Sequence, residues 1–151
     1  MDKERLAEHV KTLIPNAEIK QGKQYVEVIV ASADLFSVAK TLHDNEGTSF
    51  DFLINITGVD YTTDMSVIYH LESSKFRHMI VLKTRTSGRD NPVIDSVCGL
   101  WKSAELLERE VYDLLGIKFN NHPDLRRLFL DSSWGFPLRK DYVDDINIVS
   151  K

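Results

Sequence analysis

The sequence predicts an α+β domain, a mostly antiparallel sheet with helices packed on it, followed by an irregular C-terminal docking arm. Three observations lead there. Runs rich in β-branched and aromatic residues at 17–30, 50–57, 66–71 and 77–83 are broken by short polar turns, the pattern of hairpins. Three other segments carry apolar residues at helical spacing. Beyond Ile117 the apolar residues stay dense but follow neither period. The chain therefore divides into a body at 1–116 and an extension at 117–151, within a single domain overall.

In chain order, Asp2 is placed to cap a first helix whose inner face is Leu6, Val10, Leu13 and Ile14, and Pro15 ends it. A hairpin follows, with strands at 17–20 and 25–30 around Gln21-Gly22-Lys23. Asp34 is expected to cap a second helix with Leu35, Val38, Ala39 and Leu42 inward, fading at Asn45-Glu46-Gly47. The strand 50–57 is expected to stop at Gly58. Strands 66–71 and 77–83 flank a short turn at 73–75, so they should pair antiparallel. Residues 84–92 read as a loop and 93–101 as a short helical piece. Ser103 is expected to cap the helix 104–115, with Gly116 as its left-handed C-terminal residue.

Composition excludes several function classes. The chain has 151 residues, 42% apolar and 28% charged, which is ordinary for a folded domain. A net charge of −4 argues against a nucleic-acid binder. One cysteine, Cys98, allows no internal disulfide and cannot hold an iron–sulfur cluster alone. No apolar run approaches the roughly 20 residues that span a bilayer, and the charged N-terminus does not resemble a signal peptide. Any membrane association is therefore expected to be indirect, through other proteins.

The seven glycines are too dispersed for a dinucleotide fingerprint or a phosphate loop. Cys98 lies among Val97 and Leu100 and reads as a packed, inert thiol, although a histidine could meet it in space. His70 and His78 are the one histidine pair expected to face each other across a hairpin, where two ligands would leave a metal site incomplete. On the helix 104–115, Glu105, Arg109 and Asp113 are spaced as i,i+4 pairs on a solvated face. Glu108 instead shares a ridge with Ala104, Val111 and Leu115. A carboxylate there must be paired or protonated. It is either a tuned general acid, for which His122 would be the partner in a stand-alone acid/base enzyme, or half of a structural ion pair with a cation from 117–142. In the extension, Arg126, Arg127, Arg139 and Lys140 alternate with Leu128, Phe129, Trp134, Phe136, Pro137, Leu138 and Tyr142, with Asp141 beside them. That composition suits an interface hot spot; equally, the tail could fold back on its own domain.

The block Glu108-Arg109-Glu110-Val111-Tyr112-Asp113-Leu114-Leu115-Gly116-Ile117, followed by His122-Pro123-Asp124-Leu125-Arg126-Arg127, resembles the C-subunit family of respiratory NADH:quinone oxidoreductase (complex I). Ile56-Thr57-Gly58-Val59-Asp60-Tyr61, Tyr69-His70-Leu71, residues 96–101 and Pro137-Leu138-Arg139-Lys140-Asp141-Tyr142 extend the resemblance over about 50–142. It implies a component of the hydrophilic arm on the cytoplasmic face of the membrane, without flavin, cluster, metal or catalytic residue of its own; flavin, iron–sulfur clusters and quinone would be bound by partner subunits. The resemblance further implies that the C-terminal segment extends onto the quinone-site D subunit, near the B and I subunits. Phe136 departs from the family pattern, where a His or Tyr is commoner. The same family occurs in membrane-bound hydrogenase and formate-oxidising complexes; the long tail points first to the quinone enzyme.

Overall fold

The computed structural model describes residues 2–144 and 146; the rest of the predicted extension lies outside the described residues. Among the described residues there are three α-helices and seven strands: α1 (Lys3–Leu13), β1 (Glu18–Gln21), β2 (Val26–Ala31), α2 (Leu35–Asp44), β3 (Phe52–Asp60), β4 (Met65–Glu72), β5 (Met79–Arg85), β6 (Val93–Asp95), α3 (Ala104–Leu115) and β7 (Lys118–Asn120). The main sheet has five strands in the order β1-β2-β5-β4-β3. Its pairings are antiparallel except β2 with β5, a parallel contact that the intervening α2 crossover permits. The α+β reading with a mostly antiparallel sheet therefore holds.

One face of the sheet is buried. Met65, Val67, Tyr69 and Leu71 of β4 alternate inward with Ile80 and Leu82 of β5 and Val26 and Val28 of β2, as a period of two requires. Leu6 and Val10 of α1 and Leu35, Val38 and Leu42 of α2 join the same core. Trp101 closes it at one end, its indole N–H donating to the Phe50 carbonyl at 3.0 Å, which satisfies a polar atom that burial would otherwise strand.

Several boundaries differ from expectation. Strand β3 does not stop at Gly58 but runs through it to Asp60. A Cβ there would collide with Leu115 Cδ1 and lie 3.0 Å from Val111 Cγ1. The glycine thus lets α3 lie close against the sheet rather than ending a strand. Residues 93–101 are not helical. Val93–Asp95 is β6, paired in parallel with β7, and the chain then turns because the Val97 N–H donates to Glu108 Oε1 at 2.8 Å instead of to a helical carbonyl. The cap assignments divide. The Asp2 carboxylate accepts from the Arg5 N–H, and Gly116 is left-handed at φ 75°. Asp34 makes no side-chain cap bond and is itself the last residue of a 3-10 turn leading into α2; the Ser103 hydroxyl donates to the Leu53 carbonyl instead of capping α3. The extension is also not irregular from its start, because β7 occupies Lys118–Asn120.

The histidine pair does not form. His70 is registered with Val81, and the β4–β5 ladder closes at Glu72 with Met79. The connection is therefore longer than three residues, with Arg77 left-handed at φ 56°. His78 turns into the core between Phe50 and Phe76, and its Nε2 lies 3.0 Å from the Thr48 carbonyl.

Candidate functional site: the charged seam between α3 and the C-terminal arm

Helix α3 turns one ridge to the sheet and a second to the extension, and its charges divide between them. Glu108 is fully buried on the first. Its carboxylate accepts from the Ser96 hydroxyl at 2.7 Å, the Val97 N–H at 2.8 Å and the Cys98 thiol at 3.3 Å. The expected cation from the extension is not the principal partner. His122 Nε2 is 3.9 Å from Glu108 Oε2 but makes its hydrogen bond to the Glu105 carbonyl at 2.8 Å, while Nδ1 accepts from the Asp124 N–H at 2.9 Å. Those two partners assign the proton to Nε2. Burial raises the Glu108 pKa above its ordinary value, against the pull of the Val97 and Ser96 donors. Burial and the Glu108 charge push the Cys98 thiol up to about 12. A thiol so held is a poor nucleophile.

Ligand atoms of Cys98, Glu108 and His122 lie within 4.8 Å of one another, a grouping no spacing in the sequence announced. The residue types suit zinc. Yet each atom already has a hydrogen-bond partner, and the His122 nitrogen nearest the centre presents a proton rather than a lone pair. Glu108 and His122 side chains have no exposed surface. Enclosed in this way, they give the acid/base reading no route for a substrate.

The second ridge overturns the solvated-face reading. Arg109 and Asp113 are buried, not an outer pair. The Arg109 guanidinium donates to the carbonyls of Arg126 at 3.2 Å and Arg127 at 2.8 Å. Asp113 Oδ2 accepts from the N–H groups of Phe129 at 2.7 Å and Leu130 at 3.1 Å, and Oδ1 lies 3.2 Å from Arg127 Nη1. Burial alone would raise the Asp113 pKa; the Phe129 and Leu130 donors and Arg127 hold it below its ordinary value. Arg127 also donates to the carbonyls of Trp134 at 2.6 Å and Gly135 at 2.9 Å, so the stretch beyond β7, which has no ladder of its own, finds backbone partners in side chains.

Phe136 lies beneath two guanidiniums, Arg127 at 5.1 Å and Arg139 at 4.9 Å from its ring centroid, and beside Tyr112. Arg139 Nε donates to the Leu115 carbonyl at 2.7 Å, and the Leu138 N–H to the Leu114 carbonyl at 3.0 Å, satisfying carbonyls that the end of α3 leaves open. A Cβ on Gly116 would meet the Phe136 ring at 2.7 Å; the glycine serves the helix cap and the ring seat together. Leu128, Trp134, Pro137, Arg139 and Tyr142 are half-buried against this seam. Lys140 and Asp141 are exposed, and Asp124 pairs with Arg126 on the surface at 2.9 Å. Glu110 is half-exposed beside Leu114 and Leu138. Phe129 and Leu138 protrude, at 69% and 60% exposed.

Two contributors escape a reading of the sequence. Ser96 stands there only as the edge of a motif. Arg89 lies in what reads as a plain loop, yet it reaches both Asp60 and Asp141. Among the described residues no helix is long and apolar enough to cross a membrane.

Charges enclosed between α3 and the arm, with Phe129 and Leu138 left exposed, set the character of the site. The chain belongs to the family described as respiratory-chain NADH dehydrogenase, 30 Kd subunit, whose model matches residues 28–145. It is 36% identical to the C subunit of the NADH-quinone oxidoreductase of Verminephrobacter eiseniae, over 92% of this chain and 74% of that protein. It is 47% identical to the C/D subunit of the Phocaeicola vulgatus NADH-quinone oxidoreductase over 72% of this chain, but spans only 22% of that longer protein. In solved structures, a chain of an archaeal respiratory membrane complex, the membrane-bound sulfane sulfur reductase, superposes with a TM-score of 0.81 at 22% identity, covering 93% of this chain and 85% of that one. That likeness bears on the fold alone.

Proposed function

We propose that this chain is a redox-silent component of the peripheral arm of a membrane-associated NADH:quinone oxidoreductase, and that its C-terminal arm docks on the quinone-site D subunit. It supports electron transfer from NADH to quinone by holding that neighbour in place, on the cytoplasmic face, with the B and I subunits close by. The carrying observation is the division of labour along the arm. Arg109, Arg127 and Arg139 are consumed in fastening it to α3, while Phe129 and Leu138 are left protruding. Exposed apolar anchors on an ordered support are what a partner pocket reads. Several relatives are named jointly for C and D, which favours D as the neighbour.

Co-expression with the D subunit tests this. The two should purify together, the isolated chain should be colourless, and Phe129→Ser with Leu138→Ser should lose the partner without a shift in melting. Stoichiometric iron or a flavin band in the isolated chain would refute the redox-silent assignment. Capture undiminished by the double substitution would refute docking through those anchors.

A further inference from the structure

Arg89 ties the arm at Asp141 to the end of β3 at Asp60. It lies in the connection between β5 and β6, and 18% of its side chain is exposed. Its Nη2 is 2.6 Å and its Nε 3.2 Å from the carboxylate of Asp60, the last residue of β3. The same group reaches Asp141, with Nη1 2.9 Å from Oδ2 and Nη2 2.7 Å from Oδ1. Asp60, nearly fully buried, also accepts from the Thr62 N–H at 2.8 Å and from the Lys140 N–H at 2.9 Å. The side chain of Asp141 is 67% exposed.

Two carboxylates, one anchored in the sheet and one on the arm, thus share one planar fork, and the anchored carboxylate directly grips the arm's backbone. A lysine could supply the charge but not two bidentate contacts at once. The groups packed around the fork fit this use: Arg85 is engaged with Asp64 at 2.5 Å and lies over the Tyr61 ring, leaving Asp60 to Arg89.

We infer that Arg89 is a positioning residue for docking, clamping Asp141 to Asp60 so that Leu138 is presented at a fixed place before the partner arrives. The inference rests on the docking reading above. It means that the arm is pre-organised rather than ordered on contact, so binding loses less entropy.

Hydrogen exchange on the full-length chain, with and without the co-expressed D subunit, reads it directly. In Arg89→Ala the Leu138 and Lys140 amides should exchange about tenfold faster, the scale of one charge-assisted hydrogen bond, while amides of β4 and β5 stay protected. Affinity for the D subunit should fall by a similar factor. Arg89→Lys should restore the affinity only partly, which a role in bulk charge alone would not produce. Asp141→Asn, a change at an exposed side chain that leaves the core untouched, should move the same amides in the same direction. Unchanged amides in both Arg89→Ala and Asp141→Asn would overturn the positioning role. Released amides with undiminished binding would overturn it too where Phe129→Ser with Leu138→Ser still loses the partner; undiminished binding in that double variant as well would overturn docking by the arm, so the two failures are distinguishable.

Discussion

The body and the arm are ordered by different physics. In the body, β4 and β5 bury alternate residues such as Tyr69, Leu71, Ile80 and Leu82 against two helices, and the hydrophobic effect offsets the entropy of ordering. From Asn121 to Tyr142 no strand or helix forms. That stretch is held by charged side chains acting on backbone groups: Arg109 on two carbonyls, Asp113 on two N–H groups, Arg127 on two more carbonyls, Arg139 on the end of α3. A segment without periodicity therefore need not be loose. Buried ionic groups can supply the partners that a ladder would otherwise give.

That contrast is open to attack, most strongly through the core. Leu82→Ala should cost about 3 kcal/mol from lost burial and the cavity left behind. Body and arm should then melt together at lower denaturant. Asp113→Ala should cost about 2 kcal/mol, since it strands two arm N–H groups and unpairs Arg127. Its effect should appear first as faster amide exchange at Phe129 and Leu130, with β4 and β5 little changed. If β4 amides are released as readily as those of Phe129, the arm and body are one cooperative unit and the distinction fails.

Acidity separates the two ridges of α3 by sign. Asp113 has a folded pKa below its ordinary value, so its contribution is complete above the unfolded value and is lost as pH falls through the folded one. Glu108 has a folded pKa above its ordinary value. Its contribution is complete below the unfolded value and is lost as pH rises through the folded one. Comparing each with its amide, wild type should lose ground to Asp113→Asn as pH falls below about 4, and to Glu108→Gln as pH rises above about 4. Melts across that range decide it; parallel curves for Glu108→Gln and wild type would remove the buried-carboxylate account. Smallest of all, Glu105→Ala should shift stability by less than about 1 kcal/mol, and a larger loss in a denaturant melt would assign Glu105 a role that its contacts do not show.

Much of the body is legible in the sequence because its signals are local. The hairpins, the amphipathic α3, the Gly116 cap and the burial of Glu108 all follow from neighbours within a few residues. The parallel pair of β6 and β7 is not, since it joins Val93 to Lys118 across a helix and leaves only three residues on each strand to carry a pattern. Arg109 and Asp113 mislead for a physical reason. Their i,i+4 spacing implies mutual pairing only where water covers that face, and here the arm covers it. Arg89 carries no local signal at all, because its partners Asp60 and Asp141 are distant in sequence. The family resemblance, by contrast, is readable because its motif is compact in sequence, running from Glu108 to Arg127, and within it Arg109, Asp113 and Arg127 fasten the arm to α3.

The docking claim is tested most directly by removing the arm from Asp131 onward and measuring two things on the same protein. A thermal melt reports whether the body survives, and capture by the D subunit reports whether docking does. The body should still melt cooperatively, since the buried core among the described residues lies at or before Phe119, and capture should be lost. A truncated chain that no longer folds would place the arm in the core, and a truncated chain that is still captured by its partner would place the docking surface elsewhere on the body.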